Sequence, residues 1–264
     1  MLKRFLLFLY LLSTIVAYAI PASTVMQVGK LVNNANRVQK VSRSLFNVAG
    51  ALSKSRICEL AEIAKSPNGL KRVGEILGKE KLSTEVLENA YLRIAVQNRV
   101  ITEDIAENTF KNLSGVDGFR ALARKINIAN DATSKGHLYE MLIGNAAAKR
   151  GFKVVSFGLK YDDELKMAET DMDILLSKGN KLFAIESKNY SGLVPMDMVR
   201  ADTASLLSFS KGMSKTKEVI SIFSFSTRPS KSAIDFLKSR NVYSIVGTPE
   251  DIALKMEHIS QCLD

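Results

Sequence analysis

"AETDMDILLSKGNKLFAIESKNYSG", residues 168–192, is the stretch whose reading decides the fold. It divides into two apolar strands, "TDMDILLS" at 170–177 and "LFAIESKNY" at 182–190, joined by the polar turn "KGNK". So short a connection predicts an antiparallel hairpin. Side chains on a strand alternate faces, so Asp171 and Asp173 share one face, and Glu186 and Lys188 share one face. Directly opposed residues in a hairpin have Cβ atoms about 4.5–5.5 Å apart, which lets Asp173 and Glu186 converge. An isolated D-x-D or E-x-K ordinarily marks the solvent face of a hairpin. Here the charges interrupt strongly apolar strands, which points to a site.

Two carboxylates that close repel, and one tends to take up a proton. A hard divalent cation, Mg²⁺ or Mn²⁺, removes that conflict. Mg²⁺ is commonly held by one or two carboxylates, keeping waters and taking substrate phosphate into its shell. Such an ion lowers the pKa of a bound water and neutralises charge on phosphate oxygens. Lys188, two residues beyond Glu186, suits an anionic substrate and can orient the water or stabilise developing charge.

The surroundings of the hairpin read as α/β. A capping cluster at Asp131–Ser134 precedes the helix "GHLYEMLIGNAAAKRG" (136–151), and "FKVVSFGLKY" (152–161) is rich in strand formers. Pro195 suits the first turn of a helix running to about Lys211. "EVISIFSFS" (218–226) is a nearly continuous apolar strand, as a buried central position requires. Helix "KSAIDFLKSRN", strand "VYSIVG" and helix "PEDIALKMEHIS" follow, giving the order αβββαβαβα.

Residues Thr24 to Ile126 read as helical throughout. "VGKLVNNANRVQKVSRSLFNVAGAL" (28–52) has apolar residues at three- and four-residue steps, and "SPNG" (66–69) is a turn. Ser83 or Thr84 caps one later helix and Thr102 the next. The basic residues of this half read as a solvated helix face or, less simply, as a nucleic-acid arm. At the amino terminus Lys3 and Arg4 precede an apolar run from Phe5 to Ala19, ending in "AYA". That composition is a secretory signal peptide, with an uncleaved membrane anchor as the alternative. The expected organisation is a signal peptide or anchor at 1–19, a helical region at 20–126, and an α/β domain at 127–264 with its own core. An exported, secreted or periplasmic protein follows, with no stable membrane span once the signal is removed.

Composition narrows the function. The 264 residues carry a net charge of +10 and a pI near 9.5, which favours an anionic partner. Two histidines, His137 and His258, are too few and too far apart in sequence to favour His-centred hydrolases. Two cysteines, Cys58 and Cys262, make neither a disulfide scaffold nor a Cys-based zinc site. No G-x-S-x-G elbow occurs, and "GEILGK" (74–79) has the wrong spacing for a phosphate loop and reads as a helix end.

"MDIL" at 172–175, followed thirteen residues after Asp173 by "ESK" at 186–188, resembles the PD-(D/E)xK signature of restriction-endonuclease-like nucleases. The flanking "AIESKNYSG" is similar to members related to type IV restriction enzymes and polymorphic toxins. The resemblance covers Thr133 to Ile259. It implies a mixed central sheet and divalent-metal-dependent cleavage of DNA, less often of RNA. It implies that Asp173 and Glu186 bind the metal with the carbonyl of Ser187, and that Lys188 is the catalytic lysine. Glu140 matches a glutamate that many members carry in the preceding helix. Met172 stands where the signature has proline, and Asp171 offers a competing carboxylate. Asn189 and Tyr190 either contact the nucleic-acid backbone or the lysine, or pack. Arg200 and Lys211, with Lys215 and Lys217, are placed to grip phosphates. The competing classes are a non-catalytic binding module, for which the helical region would serve a protein partner, and a membrane-associated basic protein.

Overall fold

The computed structural model describes residues 52–127, 132–163, 168–214 and 217–262. The predicted signal peptide, the amphipathic stretch up to residue 51 and Lys215 lie outside the described residues. Five helices come first: α1 (Lys54–Ala64), α2 (Gly69–Lys79), α3 (Thr84–Gln97), α4 (Glu103–Leu113) and α5 (Phe119–Lys125). Ser53, Ser83 and Thr102 cap α1, α3 and α4, each side-chain oxygen accepting a first-turn backbone N–H. "GEILGK" forms the second half of α2.

The sheet follows. After α6 (Ala132–Lys149) come β1 (Lys153–Asp163), β2 (Ala168–Lys178) and β3 (Lys181–Lys188). Then α7 (Met196–Met213), β4 (Glu218–Phe225), α8 (Lys231–Ser239), β5 (Tyr243–Val246) and α9 (Pro249–Cys262) alternate. The sheet order is β1-β2-β3-β4-β5, antiparallel across its first two pairings and parallel across the last two. This is a mixed sheet in an α/β protein. The β2–β3 turn has two residues, and Gly179 supplies the positive φ (59°) that such turns demand. β4 lies between β3 and β5, which explains why it is buried without interruption from Ile220 to Phe225, Ser221 and Ser224 included.

Each face of the sheet is covered. Leu175, Leu182, Ala184 and Phe223 pack with Val199, Leu206 and Phe209 of α7 and with Ala233 and Leu237 of α8. On the other face, Ile174, Leu176, Phe183, Ile185 and Ile222 join α6 and α9. That second cluster does not stop at the sheet. It continues through Phe119, Leu122 and Ile126 into Leu113, Ile94 and Leu60. The stretch near Asn127, expected to separate two halves, therefore divides no core. Asn127 is itself buried, and its amide donates to the carbonyls of Ala123 (2.9 Å) and Tyr91 (3.3 Å). The connection reaches the backbone as well. Phe157 N–H donates to the Asp117 carbonyl at 2.9 Å, and Phe119 and Phe157 rings lie 6.3 Å apart. Gly118 is required at this approach: its φ is 76°, and a Cβ there would fall 1.9 Å from the Phe157 carbonyl oxygen.

Glu88 of α3 is fully buried, and its Oε2 accepts from Ser114 Oγ (2.8 Å) and from the Gly115 N–H (3.0 Å). Burial outweighs both hydrogen bonds and pushes the carboxyl up to about 7. A carboxyl raised in the fold stabilises it while neutral. That contribution is complete below the ordinary carboxylate range and is lost as pH rises through about 7. Glu88→Gln is expected to flatten part of the fall in melting temperature across this interval. An unaltered slope in thermal denaturation would contradict the burial argument. Cys58 and Cys262 are both free and exposed, so the described structure pairs neither. Among the described residues no helix is long and apolar enough to cross a membrane.

Candidate active site

The charges of the hairpin meet where β2 and β3 leave the core. Ile174 faces Ile185 at the end of the paired register, and Asp173 and Glu186 are the next residues along the two strands. Asp173 Oδ2 accepts the backbone N–H of Ser187 at 2.7 Å, which fixes the carboxylate against the neighbouring strand. Asp173 as a residue is half-buried, and its carboxyl group is the enclosed part. Glu186 is 5% exposed and points to the face that α7 covers, the face of Leu182 and Ala184. Lys188 Nζ lies 3.7 Å from Glu186 Oε2 and 2.8 Å from Asp202 Oδ2 on α7.

Two further groups approach from α6 and β1. Glu140 acts electrostatically on Asp173, and the ring of His137, one turn earlier on α6, lies 3.3 Å from Glu140 Oε1. Gly158 sits between the partners of Ile174 and Met172 on β1, across from Asp173. Its φ is 56°, and a Cβ there would meet no atom within 4 Å, so β1 faces open space at this point. Asp171 is exposed and is the weakest of the named influences on both Asp173 and Glu186.

Electrostatically the cluster is short of positive charge. Burial, then Glu140, push the Asp173 carboxyl up to about 7, against Lys188 and the Ser187 N–H. Burial, then Asp173, drive Glu186 well above the ordinary carboxylate range. Burial is the largest single influence on Lys188 and works against its charge. Glu186, Asp173 and Asp202 together outweigh it and leave the ammonium's pKa raised. Two enclosed oxygen-donor carboxylates that repel each other fit a hard divalent cation in their chemistry. Among the described residues no group of three or more His, Cys, Asp and Glu side chains is arranged to hold a metal ion. A pair of carboxylates is the kind of donor set that suits an ion keeping several waters.

The remaining predicted site residues divide. Asn189 donates its amide to the Lys135 carbonyl at 2.8 Å, tying the end of β3 to the start of α6. The Tyr190 hydroxyl meets Met198 Sδ at 3.2 Å, and its carbonyl accepts from Thr227 Oγ1 at 2.9 Å. Both pack the segment beyond β3. Arg200 lies two residues before Asp202, about 200° around the helix. It therefore faces away from Lys188, 4.0 Å from Asp197 and 6.0 Å from the Phe236 ring centroid. Lys211 lines the same outer cleft.

Sequence reasoning missed Asp202, Gly158 and the His137–Glu140 pair. Asp202 had a signal. It flanks the buried stripe of Val199, Thr203 and Leu206 on the helix that follows the "ESK" strand. Gly158 had one too, as a glycine inside a strand-forming run.

No family profile and no curated protein matches the chain. Among solved structures it is similar to Can2 from Sulfobacillus thermosulfidooxidans in complex with cyclic tetra-adenylate (cA4). The identity is 15% and the TM-score 0.34, with 80% of this chain and 54% of that chain covered. The chain thus spans about half the length of that structure. A likeness of this size defines no family and carries no activity across.

Proposed function

We propose that the chain is a metal-dependent nuclease of the restriction-endonuclease-like class, hydrolysing phosphodiester bonds of DNA in preference to RNA. The observation that carries this is the enclosed pair Asp173 and Glu186, held in mutual repulsion beside the Lys188 ammonium. Asp173 and Glu186, with the Ser187 carbonyl, would hold Mg²⁺ or Mn²⁺, which supplies an activated water and neutralises phosphate charge. Lys188 keeps its proton and presents a fixed positive charge to the phosphate. Asp202 is a positioning residue: at 2.8 Å it holds the Lys188 ammonium in place. The space beside Gly158 admits the scissile group. The signal-peptide composition of residues 1–19 supports an exported enzyme, and an exported nuclease would act as a toxin or effector on another cell.

Incubating the full-length chain with plasmid DNA and with RNA tests this. Loss of intact nucleic acid in Mg²⁺, none in chelator, and faster loss of DNA is the expected result. Both substrates remaining whole in Mg²⁺ and in Mn²⁺ would sink the proposal. Within that assay, Lys188→Met is expected to lower kcat by about 10²–10⁴. Asp202→Asn is expected to lower it by about 10–100-fold with KM little changed. Equal losses in the two variants would make Asp202 a direct participant.

A further inference from the structure

Two of the clefts that the described residues form outside the carboxylate cluster are basic. One, of about 610 Å³, lies between α7 and α8 and is lined by Arg200, Lys211, Phe236 and Arg240. The other, of about 920 Å³, lies among α2, α3, α5 and the start of α6. Lys71, Arg120, Arg124 and Lys125 line it, with Tyr91 and His137. Glu75 is the acidic member of its lining. All four cations are exposed, and none is ion-paired among the described residues. Arg120 and Arg124 stand about one turn apart on α5, about 6 Å along its axis. The Tyr91 hydroxyl is within electrostatic reach of both. Like charges gathered in this way repel unless an anion joins them.

Continuity separates the two clefts. His137 lines the larger one, lies 3.3 Å from Glu140, and Glu140 is the charge that raises Asp173 most. His137 thus ties the larger cleft to the carboxylate cluster through Glu140 on α6. Arg200, in the smaller cleft, faces away from Asp202 and Lys188.

We propose that the cleft between α2, α3, α5 and α6 binds the phosphodiester backbone of the nucleic-acid substrate and leads it to Asp173 and Glu186. This assignment rests on the nuclease reading and gives the helical region its role. Arg120, Arg124, Lys71 and Lys125 contact phosphates. Affinity from such contacts falls with salt, because each neutralised phosphate releases counterions.

The test is binding of a fluorescent oligonucleotide to full-length Glu186→Gln by anisotropy across a salt series, with Arg120→Glu/Arg124→Glu added. The expected result is an affinity loss of about tenfold or more at low salt. The log–log salt slope should fall by about one unit for each contact removed. Arg200→Glu/Arg240→Glu, which changes net charge equally, is expected to cost less. Circular dichroism confirms that each variant is folded. Unaltered affinity and slope in Arg120→Glu/Arg124→Glu would overturn the proposal, as would a larger loss in the α7–α8 pair. Cleft-dependent binding with no cleavage by the unmodified chain would instead overturn the nuclease reading and leave the binding assignment standing.

Discussion

Glu186→Gln is expected to abolish cleavage and, at the same time, to raise the melting temperature of the metal-free protein. The two effects share one cause. Glu186 is almost completely enclosed, its ionisation opposed first by burial and then by Asp173. Lys188 alone opposes that trend, and it is divided between Glu186 and Asp202. A neutral glutamine of the same shape removes the repulsion and leaves Lys188 paired with Asp202. The gain should grow with pH, because glutamine retains what the carboxylic acid loses on ionising. For a chain of this size about 1 kcal/mol corresponds to about 2–4 °C. The loss of activity should reach about 10³-fold or more, since the proposed metal site would lose one of its two carboxylates. Asp173→Asn should behave likewise, and exposed Asp171→Asn should lose far less. A variant that keeps its activity, or melts lower at high pH, would contradict the picture of a site that strains the fold in order to bind a cation.

Deleting residues 1–126 is expected to leave a chain that cannot fold, even though every predicted catalytic group is retained. The sheet face carrying Phe157, Ile174, Phe183 and Ile185 is buried in the same cluster as Phe119, Leu122 and Ile126. Phe119 is completely buried, and truncating such a residue to alanine costs about 3–5 kcal/mol. Total stability is only about 5–15 kcal/mol, and the deletion removes a whole layer. The Phe157 N–H also loses its acceptor on Asp117. Circular dichroism and solubility of a chain beginning at Asn127 check this. A soluble chain with native helix and strand content would show that the sheet is covered well enough by α6–α9.

The hairpin was legible because its signal is local. Period-2 patterning and a glycine-containing turn set strands at 170–177 and 182–190, against Ala168–Lys178 and Lys181–Lys188 in the structure. Asp173, Glu186 and Lys188 converge because register follows from the turn. What lay beyond reach depends on tertiary placement. Amphipathic faces in α1–α5 announce that they must be buried, but carry no mark of whether their partner is another helix or the sheet. The Asp117–Ser156 bridge has no periodic signature at all. Arg200 was singled out for its charge, and only the angle between positions 200 and 202 on α7 shows that it faces away from Lys188. Asn189, adjacent to the motif, proved to be committed to the Lys135 carbonyl.

The most direct test of the central claim is calorimetric titration of Mn²⁺ into the full-length chain and into Glu186→Gln at a pH above 7, where the enclosed carboxylates can ionise. The account predicts one binding site per chain in the unmodified protein, accompanied by proton release, and none in the variant. Equal binding by the two proteins, or none by either, would contradict it.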